Sequence, residues 1–527
     1  LPTNVNSKEQ LSLLPSKFLS DDPKRPLLLT AKGVAYKYAL RPLFFSALAI
    51  LLIEFFERLA YYTIYQTQTE FLDGAYSTAY ATPNTNWSAD LTPAQATKFT
   101  MWATTITYIA PFIGGIVADG LLGDYFGIIV GISIFYLPGL LVIALVTFPG
   151  LLGSTFNMTA LRVGMLGLMP IGTGFIKSLV NVFGAKQFHP VVQTTQIASY
   201  YTNFYVVINI GSLLASTAAP VLAHINIEVT YFIPFISMCC GFIVFLSFSK
   251  RYIMRPPEKE ALFSTLALIG KRVACCRKFE DSKKADGVKR LLMVFPVTLL
   301  IVPFNIVYAQ MSSVFIIQGQ AMKASGNFDA SFMSTFDAIS CILSGIVLGS
   351  FIYPTLAKRG IHLPVTYKFA IGSVFATLAI VSGIIIDKAI KESYNNGEQQ
   401  ISVWFLGISF FLVGMGEVLT NSAGYEAAFK IAPSEQKGLA SAINLFMMGA
   451  LPNFICQGIV SGVEGWFPKK PEISTPIQLT KAYVESGITN YFWILFGIVL
   501  LFGVFLNLLP PVKNFVENVV SNALDAT

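Results

Sequence analysis

Glu54, Glu57 and Arg58 fall within five positions of one another inside a long apolar run. Spacings of three and four residues put all three on one face of a helix. One carboxylate neutralises Arg58 and leaves a surplus acid. Out of water, a surplus carboxylate disfavours its charged form, which suits it to taking up and releasing a proton. A structural cluster joining two helices is the plainer use. Three charges are costly for that alone, since one at the bilayer centre costs about 2.5–3.5 kcal/mol on insertion scales.

Other charges stand alone in apolar surroundings: Lys177, Asp337, Glu417 and, near the end of its run, Glu426. Unpaired intramembrane charges are rare and usually functional. If all face the centre, the first half of the chain presents cations (Arg58, Lys177) and the second presents anions (Asp337, Glu417). A zwitterion with well separated ends fits between them, its carboxylate toward the first half and its ammonium toward the second. Tyr61, Tyr62 and Tyr65 follow Arg58 within two turns. Interface anchoring or packing is the usual role of such tyrosines, but their closeness to the charges favours lining a pocket. Gly114, Gly115, Gly172, Gly174, Gly349, Gly414 and Gly416 read as close-packing or bending points. No Walker sequence, HExxH or paired catalytic aspartate signature occurs, so an enzyme or ATP-driven pump is not indicated. The six cysteines, Cys239/Cys240 and Cys275/Cys276 being adjacent pairs, have no metal or disulfide spacing. They read as free thiols, with Cys275 and Cys276 open to palmitoylation. No metal, cofactor or nucleic acid is expected.

The elements that position these groups follow from composition. Of 527 residues, 54% are hydrophobic and 12% charged, half the charge of a soluble domain. Twelve segments are long and apolar enough to span a bilayer: 43–72, 99–119, 125–148, 160–182, 196–219, 229–249, 289–316, 332–356, 364–386, 402–424, 438–462 and 488–511. Continuous apolar runs mean helices rather than a barrel. The expected fold is therefore an all-α polytopic membrane protein, twelve helices in two six-helix bundles. Lys and Arg crowd the first 41 residues and the stretch between the sixth and seventh spans, which puts both in the cytoplasm. The net charge of +7 thus records orientation.

The divisions expected are a cytoplasmic tail 1–42, a bundle 43–249, a linker 250–288, a bundle 289–511 and a cytoplasmic tail 512–527. Within the linker, 259–285 has the mixture of a surface amphipathic helix. Asn86-Trp87-Ser88 and Asn157-Met158-Thr159 are sequons in non-cytoplasmic loops, giving Asn86 and Asn157 as glycosylation candidates. Glu9-Gln-Leu-Ser-Leu13-Leu14 fits a lysosomal or vacuolar sorting pattern, with the plasma membrane as the other address. The protein is expected to work as a monomer in the lipid bilayer.

Four stretches resemble one family. Glu54-Phe-Phe-Glu57-Arg58-Leu-Ala-Tyr61-Tyr62 is similar to the ExxER…YY motif of the proton-coupled oligopeptide transporters, the POT/PTR branch of the major facilitator class. Phe204-Tyr205 through Leu213 resembles its FYxxINxGSL signature, and Gly172-x-Gly174 to Lys177 with Phe183-Gly184 to Phe188 its GxGxxK…FGxxQF stretch. Gly416-Glu417, Gly424-Tyr-Glu426 and Ala432-Pro433 resemble the block of the tenth span, while Gly115, Asp119 and Gly123 resemble the general loop motif of the class.

The resemblance implies proton-driven symport of di- and tripeptides by alternating access. Glu54, Glu57, Arg58 and Lys177 would be the proton-coupling cluster, with Lys177 pairing to it and exchanging it for the peptide carboxylate. Tyr61, Tyr62 and Asn209 would contact the peptide, Glu417 its ammonium, and Asp119 and Gly123 would gate. Departures mark further candidates. Tyr65 stands where peptide carriers often have a cation, which opens the alternative of another cargo: nitrate, histidine or another amino acid, or a transporting sensor. Asp337 stands at a frequent Asn site, adding negative charge that would favour cationic substrates or bind a second proton. In the seventh span Gln310 keeps its family position, while Asn305 and Met311 replace an aromatic and a Gln. The loop motif lacks its basic residue after Gly123, where Asp124 and Tyr125 follow, and looser gating is expected. His189, His224 and His362 fall in or near loops and receive no proton role.

Overall fold

The computed structural model describes residues 19–20, 27–29, 35–78, 87–189, 193–254, 282–361, 363–397, 399–432, 437–471 and 475–525. Helix α1 runs over 43–72, a wide first turn Leu43–Ala47 leading into Leu48–Leu72. It is followed by α2 (Pro93–Leu122), α3 (Asp124–Thr147), α4 (Met158–Ala185), α5 (Thr194–Ile225) and α6 (Ile227–Ser247). The second half comprises α7 (Gly287–Leu299 with Val302–Gln320), α8 (Ser331–Ile352), α9 (Val365–Asn395), α10 (Val403–Ile431), α11 (Leu439–Gly462) and α12 (Ile488–Leu508).

Among the described residues, ten of these helices are long and apolar enough to cross a membrane, and the bent pair of α7 makes an eleventh. The twelfth expected span is α1. It carries Glu54, Glu57, Arg58 and Glu70, so it is long enough to span while being more polar than its neighbours. The chain is an all-α polytopic membrane protein.

Apolar pattern locates these helices and misses their bends. The expected continuous span 289–316 is broken by 51° between Leu299 and Val302. Pro303 opens the second part, where its missing N–H costs no helical bond. Helix α9 runs to Asn395 rather than ending near 386, and its extra turns hold the Lys391–Asp387 pair at 3.3 Å. Helix α2 begins at Pro93, six residues before the apolar run at 99, because Thr92 and Gln95 form a capping box.

Outside the bundles, β1 (Leu19–Ser20), β2 (Leu27–Leu29) and β3 (Ala35–Lys37) form a small antiparallel sheet in chain order. The stretch after 511 is helical, α13 (Pro510–Asp525), and its Val516 is buried in a cluster with Leu291, Ala428 and Ile443. The amphipathic candidate in 259–285, Cys275, Cys276, the dileucine pattern, Asn86 and His362 lie wholly or mostly outside the described residues.

One buried apolar cluster draws on residues from Ala47 to Tyr252. A second draws on Ile301 to Val499, joined by Ala94 and Met101 of α2. Lipid gives helices no hydrophobic reason to associate, so small residues that allow close packing hold the bundle. A Cβ on Gly174 of α4 would lie 2.3 Å from Ala110 Cβ and 2.4 Å from the Ala110 carbonyl carbon on α2. Gly114, Gly172, Gly414 and Gly416 meet similar backbone or side-chain contacts. Gly115 and Gly349, expected to pack closely too, have nothing within 4 Å of such a Cβ. Gly174→Ala is therefore expected to cost about 1–3 kcal/mol by overpacking, with Gly115→Ala near neutral. Melting temperatures of the two purified variants test this contrast.

Candidate functional site

Helix α1 brings Glu54, Glu57 and Arg58 to one buried face, as their spacing requires. Arg58 Nε lies 3.1 Å from Glu54 Oε1, and its Nη2 pairs with Glu57 Oε2. The side chains are 6%, 3% and 0% exposed for Arg58, Glu54 and Glu57, so this guanidinium holds two acids out of water. Helix α5 closes over the cluster at Gly211, where a Cβ would come within 3.0 Å of Arg58 Cβ and 3.1 Å of the Phe55 carbonyl oxygen. That approach is why a glycine stands in the motif of α5.

Lys177 on α4 does not join this ion pair. Its Nζ sits 4.7 Å from the centre of the Tyr61 ring and 4.1 Å from that of Tyr108. Both are cation–π distances. The lysine is thus held by aromatic faces while Arg58 engages the acids, which corrects the expected direct pairing. Tyr108, on α2, was missed in the sequence because no charge lies near it in the chain. Its ring also fills the notch at Gly449 of α11, where a Cβ would be 2.2 Å away. Tyr61 and Tyr65 stack at 5.6 Å, and Tyr62 meets both edge-on.

The second half supplies the opposite charge. Asp337 on α8, Cys341 one turn later and Glu417 on α10 bring two carboxylate oxygens and a thiol sulfur within 4.8 Å of one another. Cys341 Sγ lies 3.4 Å from Glu417 Oε2 and 4.0 Å from Asp337 Oδ1. This donor set is compact enough to hold a small cation, including a divalent metal. The close approach comes from Gly414, whose added Cβ would fall 2.6 Å from the Asp337 carbonyl oxygen.

Other candidates take different places. Asn209 is partly exposed, and its Nδ2 donates to the Tyr205 carbonyl at 2.8 Å, leaving its own oxygen available. Asn305 is buried and donates to Asn421 Oδ1 on α10 at 3.1 Å. Gln310 is fully buried; it donates to Cys456 Sγ at 3.4 Å and accepts from Tyr491 at 3.2 Å. Asn305 and Gln310 therefore join helices of the second half, where lining of the site was expected. Met311 is buried beside them.

Asp119 lies on the wide turn Ala118–Leu122 that ends α2, and Gly123 follows with φ +76°, which its lack of a side chain permits. Asp124, in place of the usual base, pairs with Lys186 at the end of α4 at 2.6 Å. That bridge ties the loop to the end of α4. Asn157 caps α4: its Oδ1 accepts from the Ala160 amide and its Nδ2 donates to the Leu152 carbonyl. That amide is engaged where glycosylation needs it accessible. A surface cavity of about 530 Å³ beside Lys368, Glu426, Lys430 and Val516 lies near α13, away from these groups.

A polar latch ties the halves together at the end of α1 and the turn between α7 and α8. Gln320 donates to Asp73 at 2.6 Å, Ser331 to Glu70 at 2.7 Å, and Tyr76 to Asp329 at 3.2 Å. His224 Nε2, close to the end of α5, lies 2.8 Å from the same Asp329 oxygen. Ser312 donates to Tyr65 at 3.0 Å and accepts from Thr69 at 2.5 Å through its carbonyl. Lys98 pairs with Glu464 at 2.9 Å, and Lys470 bridges Asp90 and the Asp73 carbonyl. The structure is closed on this face.

Burial pushes the Asp73 carboxyl up to about 7 and that of Asp329 up to about 6. Once the face opens to water, both return toward the ordinary carboxylate value of about 4. Between about pH 4 and 7 the closed form then holds protons that the open form releases, so rising pH weakens closure. Spin labels at Ser154, between α3 and α4, and Lys469, between α11 and α12, both exposed, should report most closure at the acid end. Asp73→Asn should flatten the response between about pH 6 and 7; closure that strengthens with rising pH would contradict this account.

The sequence profile described as "POT family" matches residues 126–285 and 269–474. Protein NRT1/PTR FAMILY 8.1 of Arabidopsis thaliana is 26% identical over 507 residues, covering 78% of this chain and 85% of the relative. Peptide transporter PTR2 of Saccharomyces cerevisiae is 23% identical over 485 residues, covering 84% and 78%. Among solved structures, the POT family transporter PepTSo superposes with a TM-score of 0.70 at 21% identity, over 90% of this chain and 98% of that one. The last comparison bears on the fold alone.

Proposed function

The chain belongs to the POT family, and from that premise we propose that it is a proton-coupled symporter of di- and tripeptides working by alternating access as a monomer. The observation that carries this reading is the division of charge. A buried Glu54–Arg58–Glu57 cluster and a lysine set against two tyrosine rings belong to the first half. Two carboxylates, Asp337 and Glu417, belong to the second. Tyr62 and Tyr65 of α1 lie within electrostatic reach of Glu417, which brings the two sets toward one site.

In this account the peptide carboxylate binds Lys177 and its ammonium binds Glu417, with Tyr61, Tyr62 and Asn209 along the backbone between them. A proton on Glu54 or Glu57 frees Arg58 from one partner; its loss restores the pair and moves the carrier to its next state. No covalent step and no cofactor enters, only protons. Tyr65, standing where peptide carriers often have a cation, keeps nitrate among the competing cargoes.

Labelled dialanine supplied to proteoliposomes with acid outside should accumulate, and should cease to do so when the gradient is collapsed. Competition by excess dipeptide, with none by nitrate or histidine, is the expected pattern. Displacement by nitrate or histidine and not by peptides would reassign the cargo.

A further inference from the structure

We infer that Asp337 makes the amino end of the site a subsite for a second positive charge, so that the carrier selects peptides whose first residue has a basic side chain. The inference rests on the peptide-symport reading and narrows its substrate class.

The argument begins with charge balance. The ionisable side chains of the candidate site are the four acids Glu54, Glu57, Asp337 and Glu417 and the two bases Arg58 and Lys177, an excess of two negative charges. Both bases lie in the first half, where Arg58 is engaged by two carboxylates. Among the described residues no Lys, Arg or His side chain forms an ion pair with Asp337 or Glu417. A zwitterionic peptide adds no net charge, and one coupling proton removes one negative charge. One is left over in a low-dielectric site, where an unpaired charge is costly. A further cation carried by the peptide brings the site to neutrality, as a second proton would, and only the first makes the carrier prefer basic peptides.

Position agrees with balance. Asp337 and Glu417 are half-buried rather than sealed, and their oxygens lie within 4.8 Å of one another and of Cys341 Sγ. An α-ammonium and the side-chain cation of the same first residue would thus each meet a carboxylate. Tyr65, Tyr205 and Tyr308 stand within electrostatic reach of both carboxylates, and aromatic rings favour ammonium and guanidinium groups. The close contact of α8 and α10 at Gly414 fixes the spacing of the pair.

The test uses the full chain in proteoliposomes, with lysyl-alanine, alanyl-lysine and dialanine competing for labelled dialanine uptake. Lysyl-alanine should compete at least about tenfold better than dialanine, the effect of one charge-assisted contact, and better than alanyl-lysine. Asp337→Asn should bring the lysyl-alanine to dialanine ratio toward one, and Asp337→Glu should keep it; gel-filtration profile and melting temperature establish that each variant is folded. Dialanine uptake with no preference for lysyl-alanine, or a preference that survives Asp337→Asn, overturns the inference and leaves the peptide reading standing. Absence of any peptide uptake or competition overturns the peptide reading itself. Inhibition of dialanine uptake by zinc that Cys341→Ser abolishes, without a lysyl preference, would reassign the cluster to a metal and overturn the inference as well.

Discussion

Arg58→Ala should destabilise the protein by about 3–5 kcal/mol, the cost of breaking a buried ion pair from one side. Two carboxylates, 3% and 0% exposed, would face each other without their cation. They could remain only by taking up protons, so both stability and uptake should collapse. The charge, rather than the space, is the cause. A triple variant, Glu54→Gln with Glu57→Gln and Arg58→Gln, should regain most of the melting temperature because no unpaired charge remains, yet should not accumulate substrate. If the single and triple variants melt alike, the ion cluster is not what Arg58 stabilises.

Lys177→Ala should weaken dipeptide binding by about 10–150-fold, the worth of roughly 1.5–3 kcal/mol for a hydrogen bond to a charged group. Lys177 has tyrosine faces as its near neighbours, so removing it breaks no ion pair among the described residues and should spare the fold. The discriminating ligand is dialanine with its carboxylate amidated. It should bind the unaltered protein weakly and be nearly indifferent to Lys177→Ala. Equal losses for the free and amidated peptides, measured by calorimetry, would show that the lysine does not meet the carboxylate.

How far these sites were legible depended on whether the partners are near in the chain. Glu54, Glu57 and Arg58 sit within one and a half turns of a single helix, so the apolar run around them announced the cluster and its shared face. Lys177, Asp337 and Glu417 were equally visible as charges in apolar segments. What surrounds them was not. Tyr108 is one of 22 tyrosines, and nothing adjacent in the chain marks it as the partner of Lys177. The Asp73–Gln320 contact joins positions 247 residues apart, and the bonds to Asp329 from Tyr76 and His224 span 253 and 105 residues. His224 falls near a loop and so receives no role from sequence, and nothing adjacent in the chain marks Asp329 as its partner.

Asn305 and Gln310 show the converse. Residue type suggested lining, but they lie just past the bend of α7 and bond to α10, α11 and α12 instead. Hydropathy reports which segments are helical. It does not report which face a bent helix turns to the centre, and that choice decided the role of both residues.

The central claim is that the Glu54–Glu57–Arg58 cluster couples protons to substrate movement. The most direct measurement compares two modes of the Glu57→Gln variant in the same proteoliposomes: exchange of labelled for unlabelled dipeptide without a gradient, and uphill accumulation driven by acid outside. The account predicts that exchange persists, because the peptide's own contacts remain, while accumulation is lost. Accumulation driven by the proton gradient at the level of the unaltered protein would contradict it.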